Sequence, residues 1–254
     1  MATIRHRPRK RFGQHFLVDP RIIQRIVSYV QPDEGDVVLE VGPGRGALTD
    51  PLVRSLRRLV GVEIDRDLVA MLRERLPKKV FRLIEADILE LDLASVLREE
   101  GGQQLFIIGN LPYNITAPFL FKALDQAEHI RVAVLMLQRE VARRLVASPG
   151  NKDYGQITVL LAMRAKIKLC LEVDRRAFRP VPGVDSSVIK VSFASQPRFA
   201  VRDERAFTVL VRTAFAQRRK MLRNSLQGLI SSGERNVLAE VASVAAIELT
   251  RRPE

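Results

Sequence analysis

The segment Asp36-Val37-Val38-Leu39-Glu40-Val41-Gly42-Pro43-Gly44-Arg45-Gly46-Ala47 decides the architecture of this chain. Its first six residues form a short apolar run suited to a buried strand, its glycines supply a tight turn, and Leu48 to Leu56 returns at helical spacing. Strand, glycine loop and helix in that order open a β-α-β unit whose loop lets the backbone approach a ligand at the helix start. The unit repeats. Leu59-Val60-Gly61-Val62 is a second strand ending at Glu63, Asp67 to Leu76 a helix stopped by Pro77, and Val80 to Ile84 a third strand ending before Asp87. A fourth strand at Leu105-Phe106-Ile107-Ile108, a helix from Thr116 to Leu124 and a fifth strand from Val132 to Met136 continue the alternation. The expected fold is α/β, with a largely parallel, doubly wound sheet.

Upstream, Ile22, Ile23, Ile26, Val27 and Val30 recur at helical spacing behind Asp19 as N-cap and Pro20 at the first helical position, which predicts an amphipathic helix to Val30. Beyond Gln138 a helix to Val146 leads to a loop holding Gly150, Asn151 and Gly155 and then to another helix. An alternating strand around Cys170 and a last strand from Ser187 to Phe193 are expected to close one sheet edge as an antiparallel pair. Gln196-Pro197 marks the expected boundary between a catalytic domain, residues 1–196, and a small all-helical domain, residues 197–254. In the latter Phe207, Leu210, Val211 and Phe215 share a face.

At 254 residues and 46% hydrophobic content the chain can bury a substantial core. It carries no apolar stretch of membrane-spanning length and no secretory leader pattern, so a cytoplasmic protein without membrane contact is expected. Cys170, the one cysteine, reads as an inert core thiol, and none of the three histidines is spaced as a ligand pair, so no metal site is expected. The 42 Lys and Arg against 29 Asp and Glu leave a net charge of +13, which points to a polyanionic partner. The charge is clustered: a basic tail over residues 1–11 with Arg5, Arg7, Arg9, Lys10 and Arg11, and Arg218, Arg219, Lys220 and Arg223 near the other end. Clustering suits phosphate contacts, with binding that falls steeply as salt is added.

Asn110-Leu111-Pro112-Tyr113 follows the fourth strand, where open α/β sheets place their chemistry. The Asn110 amide oxygen and a carbonyl of the Leu111-Pro112 backbone can accept both hydrogens of an exocyclic amine while Tyr113 stacks on its ring; the plain alternative is an Asn-Pro turn. The glycine run alone fits either a nicotinamide dinucleotide or S-adenosylmethionine, and Glu63 can accept ribose hydroxyls in both cases. Asp87, placed to accept from an adenine amine, and Asn110 extend the site over four strand ends and favour the second cofactor. A dehydrogenase leaves Asn110 to Tyr113 unexplained.

Four segments in this order, Phe12-Gly13-Gln14-His15-Phe16-Leu17, Val38 to Thr49, Asn110 to Tyr113 and Phe178-Arg179-Pro180-Val181-Pro182-Gly183-Val184-Asp185-Ser186, resemble the ribosomal RNA adenine N6,N6-dimethyltransferase family. The resemblance implies a Rossmann-like class I S-adenosylmethionine-dependent methyltransferase with a small C-terminal all-α domain. It implies cofactor contacts at Gln14, His15, Leu17, Gly42, Gly44, Glu63, Ile64, Asp87, Ile88 and Asn110, and a catalytic set of Asn110, Leu111, Pro112, Tyr113 and Phe178, the last stacking on the target base opposite Tyr113. His15 departs from the Asn common at its position. Phe215 to Leu226 is similar to the signature of the small-subunit branch. The implied activity is dimethylation of adenine N6 amines, two adjacent ones, in small-subunit ribosomal RNA within an immature subunit, by a monomer that grips RNA through Arg9, Lys10, Arg11, Arg218, Arg219, Lys220 and Arg223. A large-subunit methyltransferase and a non-enzymatic assembly factor are the alternatives. Ile247 to Glu254 resembles an internal family segment, from which one further helix is expected.

Overall fold

Val, Leu and Ile crowd the segments read as strands. The computed structural model, which describes residue 9, residues 13–230 and residues 235–254, has these strands: β1 (Phe16–Leu17), β2 (Asp36–Val41), β3 (Leu59–Glu63), β4 (Phe81–Glu85), β5 (Gln104–Asn110), β6 (Ile130–Gln138), β7 (Ala165–Val173), β8 (Phe178–Arg179) and β9 (Ser186–Phe193). Seven of them form one sheet in the order β4-β3-β2-β5-β6-β9-β7, and β1 and β8 pair separately. β4 through β6 are parallel, and β9 lies antiparallel between β6 and β7, so the expected antiparallel closure of one edge is present.

The chain progresses outward in one direction from β2 to β3 and in the other from β2 to β5. Register there sets Val41 beside Val62 on one side and Gly109 on the other. The carboxyl ends of three strands therefore lie abreast at the switch point, where a crevice opens. Below it Leu39, Leu105, Phe106 and Ile107 are fully buried. Each such side chain contributes on the order of 1.5–3 kcal/mol by leaving water.

Helices α1 (Pro20–Val27), α2 (Thr49–Ser55), α3 (Arg66–Arg75), α4 (Leu93–Glu100), α5 (Thr116–Asp125) and α6 (Arg139–Leu145) connect the strands. Asp19 caps α1 by accepting from the Arg21 N–H. This helix stops at Val27 rather than Val30, because the Tyr29 and Val30 N–H groups turn to carbonyls three residues back and Pro32 disfavours helical backbone before it. α4 was not foreseen, although its signals are present. Asp92 accepts from the Ala94 and Ser95 N–H groups, Leu93, Val96 and Leu97 are buried, and Gly101 ends the helix at φ +66°.

Packing divides the chain into two units: the chain up to Ala142 with Ala165–Gln196, and Arg143–Arg164 with Pro197–Glu254. Residues 143–164, assigned from sequence to the catalytic domain, thus cluster with the C-terminal helices α8 (Glu204–Ala216), α9 (Leu222–Ser225) and α10 (Arg235–Val244). The reason lies at the end of α7 (Gln156–Arg164): the Arg164 guanidinium grips Glu204 at 2.7–3.0 Å, and the Arg198 N–H donates to the Met163 carbonyl. In α8 the buried stripe is Val211 and Ala214, flanked by half-buried Phe207 and Phe215; Leu210 falls at its margin and is exposed.

Candidate active site

A cavity of about 330 Å³ occupies the switch-point crevice. It is lined by Gly42, Gly44, Glu63, Ile64, Asp87, Ile88, Asn110, Leu111, Pro112 and Tyr113 from the strand ends, by Gln14, His15 and Leu17 from the N-terminal motif, and by Phe178 from β8. Two of its features come from the glycine loop. Gly42 stands at φ +65°, and a Cβ there would meet nothing within 4 Å, so the loop leaves open space where a ligand can approach the backbone. Gly44, at φ +60°, presses on the Phe16 ring, 3.3 Å from where a Cβ would stand. Phe16 in turn carries the Arg45 guanidinium over its ring, 4.5 Å from the centroid.

Glu63, 5% exposed, accepts from the main-chain N–H groups of Gly44, Ile64 and Asp65, each at 3.0 Å. Burial pushes its carboxyl above the usual range, and these N–H donors hold it down. Three N–H donors still leave lone pairs on the two oxygens for ribose hydroxyls. One Asp87 carboxylate oxygen caps a turn by accepting from the Leu89 N–H at 2.8 Å, and the residue also faces the cavity.

Glu40, the charged residue inside the apolar run of β2, was not singled out from sequence. It is 1% exposed, lines the cavity and has an Oε2 without a hydrogen-bond partner. Burial drives its carboxyl up to about 8; the Thr49 hydroxyl beside it pulls the other way, and the Glu63 and Asp50 charges add to the rise. An acid at the buried end of an otherwise apolar strand was the available signal.

Asn110 donates through Nδ2 to the His15 main-chain carbonyl at 3.1 Å. A carbonyl can only accept, so this bond fixes which amide atom is which and leaves Oδ1 as the free-facing acceptor. The Pro112 carbonyl is taken by the Ile115 N–H and the Thr116 hydroxyl, which leaves Leu111 to supply the second acceptor of the pair. Tyr113 is half-buried, its hydroxyl 3.3 Å from Ser186 Oγ. Phe178 is only 1% exposed and belongs to the core cluster, so its ring forms part of the cavity wall and offers no solvent-open face.

The cationic residues fare differently. Lys10 and Arg11 lie outside the described residues. Arg9 is engaged with acids: Nη1 lies 3.2 Å from Asp65, Nη2 pairs with Asp67, and its N–H donates to Gln14 Oε1. Gln14 itself donates to Asp65 at 2.9 Å, so one amide ties the motif to the cap of α3. In the helical unit Arg219, Lys220 and Arg223 are exposed. Arg218 is not free among them: its Nη2 bonds the carbonyls of Lys152 and Tyr154 and the Glu254 carboxylate. The neighbours of Arg9 and Arg218 in sequence, largely basic, gave no warning of these partners.

A family model described as ribosomal RNA adenine dimethylase matches residues 5–253. The chain belongs to the ribosomal RNA adenine dimethylase family. It is 43% identical over 251 residues to a ribosomal RNA small subunit methyltransferase A of Leptothrix cholodnii, covering 99% of this chain and 88% of the relative. It is 45% identical over 251 residues to the protein of that name from Geobacter metallireducens, covering 98% and 90%. Among solved structures, a dimethyladenosine transferase from Plasmodium falciparum superposes with a TM-score of 0.76 at 22% identity, covering 94% of this chain and 92% of that one. The 23S rRNA methyltransferase ErmE does so at 0.69 and 26%, covering 94% and 93%. The fold is thus that of a Rossmann-like class I methyltransferase with a C-terminal helical portion. S-adenosylmethionine is the cofactor of this dimethylase, and the cavity offers chemistry that suits it: an open glycine turn, the Glu63 and Asp87 carboxylates and the unpartnered oxygen of Glu40.

Proposed function

We propose that this protein dimethylates the N6 amine of adenines in small-subunit ribosomal RNA, at two adjacent bases, acting as a cytoplasmic monomer on an immature small subunit. The observation that carries the reading is the state of Asn110. Its Nδ2 is committed to the His15 carbonyl, so its Oδ1 is presented as an acceptor at the end of β5, beside the cofactor cavity. Asn110 Oδ1 and the Leu111 carbonyl take the two amine hydrogens, which keeps the nitrogen lone pair off the ring and aims it at the cofactor. When bound, S-adenosylmethionine supplies an electrophilic methyl group on a sulfonium that becomes neutral on transfer. The protein needs no strong base, because the methylated nitrogen can lose its proton to solvent afterwards. Tyr113 stacks on an unstacked adenine, contributing on the order of 1–3 kcal/mol against the few kcal/mol needed to flip the base, and the wall ring of Phe178 backs that site. Exposed cations such as Arg219, Lys220 and Arg223 supply phosphate contacts.

Incubation with labelled S-adenosylmethionine and undermethylated small subunits, with large subunits as control, tests this reading. Dimethyladenosine in small-subunit RNA alone is expected. Label in the large subunit would transfer the protein to the other branch, and cofactor binding without label in either would leave only an assembly role.

A further inference from the structure

His15 is the residue at which the separate parts of the site meet, and its main chain and side chain face different ones. Its carbonyl accepts from Asn110 Nδ2 at 3.1 Å, a contact that any residue at this position could make. Its imidazole does something else. The ring stacks on Tyr113, with centroids 5.9 Å apart and planes at 28°. Its Nδ1 lies 2.9 Å from the carbonyl oxygen of Pro180, and because a carbonyl only accepts, Nδ1 carries the hydrogen. Both side-chain contacts therefore go to the elements that hold the target base, Tyr113 on one side and the loop after Phe178 on the other.

The adjoining backbone makes the link stiff. Phe16 pairs with Arg179 and Leu17 with Phe178 in the β1–β8 bridge, and the Val18 N–H donates to the Ala177 carbonyl at 2.8 Å. A ring rooted in that bridge cannot drift relative to Phe178. What it touches next is Tyr113, a half-buried side chain whose remaining polar anchor is a long 3.3 Å contact between its hydroxyl and Ser186.

We propose that the His15 side chain is a positioning residue for the target adenine: it sets the plane of Tyr113 and tethers the loop after Phe178, so that the Tyr113 ring and the cavity wall backed by Phe178 are held ready for one purine before RNA arrives. The proposal rests on the reading above that the base sits between Tyr113 and Phe178. A pre-set wall spares the ordering of a free aromatic side chain during binding, which is worth about three- to tenfold in forming the stacked complex. The same geometry fixes where the amine meets Asn110 Oδ1, so the gain is realised in transfer as well. A change of side chain leaves the bond from Asn110 to the His15 carbonyl in place.

The two arms of the imidazole can be removed one at a time. His15→Phe keeps a ring for Tyr113 and loses the donor to Pro180; His15→Asn keeps a side-chain donor and loses the ring; His15→Ala loses both. Small-subunit RNA carrying 2-aminopurine at the target position reports stacking by quenching, with background kept low because the protein has no tryptophan. The complex is formed with S-adenosylhomocysteine present so that no turnover occurs. Strong quenching is expected for the unaltered protein and the weakest for His15→Ala, with the other two between. The kcat/KM for RNA should fall about three- to tenfold in His15→Ala, while the KM for S-adenosylmethionine and the cofactor-induced rise in Tm stay unchanged. Equal quenching in the unaltered protein and His15→Ala would overturn the positioning role and leave the base sandwich intact. Loss of the cofactor-induced rise in Tm would also overturn it, by showing that the side chain acts through the cofactor. No quenching even in the unaltered protein would remove the sandwich itself, and the proposal with it.

Discussion

Replacing Arg218 by alanine separates two uses of a cation in the segment 218–223. The Arg218 Nη2 lies 2.7 Å from the Lys152 carbonyl, 2.7 Å from that of Tyr154 and 3.0 Å from Glu254 Oε2. One Nη2 has two hydrogens, so three acceptors amount to about two full bonds. A hydrogen bond from a charged group contributes about 1.5–3 kcal/mol. With the guanidinium 36% exposed the lower end applies, and Arg218→Ala should cost the helical unit about 3 kcal/mol. Exposed Arg219, Lys220 and Arg223 should cost within about 0.5 kcal/mol each when replaced by alanine. RNA binding sorts them in reverse. Each phosphate contact to single-stranded RNA contributes about 0.7 to the slope of log affinity against log salt, so the triple replacement should flatten that slope by up to about 2, and Arg218→Ala should leave it alone. Denaturant unfolding and binding titrations at several salt concentrations measure both quantities on the same preparations. An Arg218→Ala protein of unchanged stability with a slope flattened by about 0.7 would refute the structural role and return Arg218 to the RNA interface.

Gly44→Ala should cost about 1–2 kcal/mol, because the left-handed backbone penalises a Cβ and the Phe16 ring stands in its way at 3.3 Å, and calorimetry should show a smaller cofactor-induced rise in Tm. Glu40 gives a pH dependence whose sign follows from its raised pKa. The folded protein keeps its proton to about 8 while the unfolded chain releases it near 4.5, so stability falls as pH rises between those values and levels off above. At about 1.4 kcal/mol per unit the fall is at most about 5 kcal/mol, and Glu40→Gln should abolish it in unfolding curves measured from pH 5 to 9. Tyr113→Phe keeps the ring and gives up only a long contact to Ser186, so its kcat/KM should stay within about threefold, whereas Tyr113→Ala should lose a stack worth about 1–3 kcal/mol, or roughly five- to 150-fold in steady-state kinetics.

The parallel half of the sheet was legible because each strand is a separate apolar run closed by a glycine, an acid or an amide, and the same punctuation marks the site. Glu63 and Asn110 end their strands and Asp87 follows β4 by two residues, which is why all three reach the cavity. Glu40 was hidden by its setting, since an acid within an apolar strand reads first as a flaw in the strand. The division of the molecule was hidden too. Nothing local to residues 143–164 announces that Arg164 will find Glu204.

Cations show most plainly where such reading stops. Composition established that the chain carries a large positive excess and that the excess is clustered, and clustering is a property of sequence. Whether a given guanidinium is available is not, because at about 3 Å a carboxylate or carbonyl in the folded protein outcompetes a distant phosphate whatever the local density of arginine. Arg9 meets Asp65 and Asp67 across the chain, and Arg218 meets the carbonyls of a loop more than sixty residues earlier. Both lie in basic runs, and both are committed. The two-residue bridge between Phe16–Leu17 and Phe178–Arg179 follows the same logic: too short for any periodicity, it is invisible from either end, yet it joins the N-terminal motif to the loop carrying the wall ring. Two motifs separated by most of the catalytic unit are thus one structural element, and that is why a side chain in the first can govern the geometry of the second.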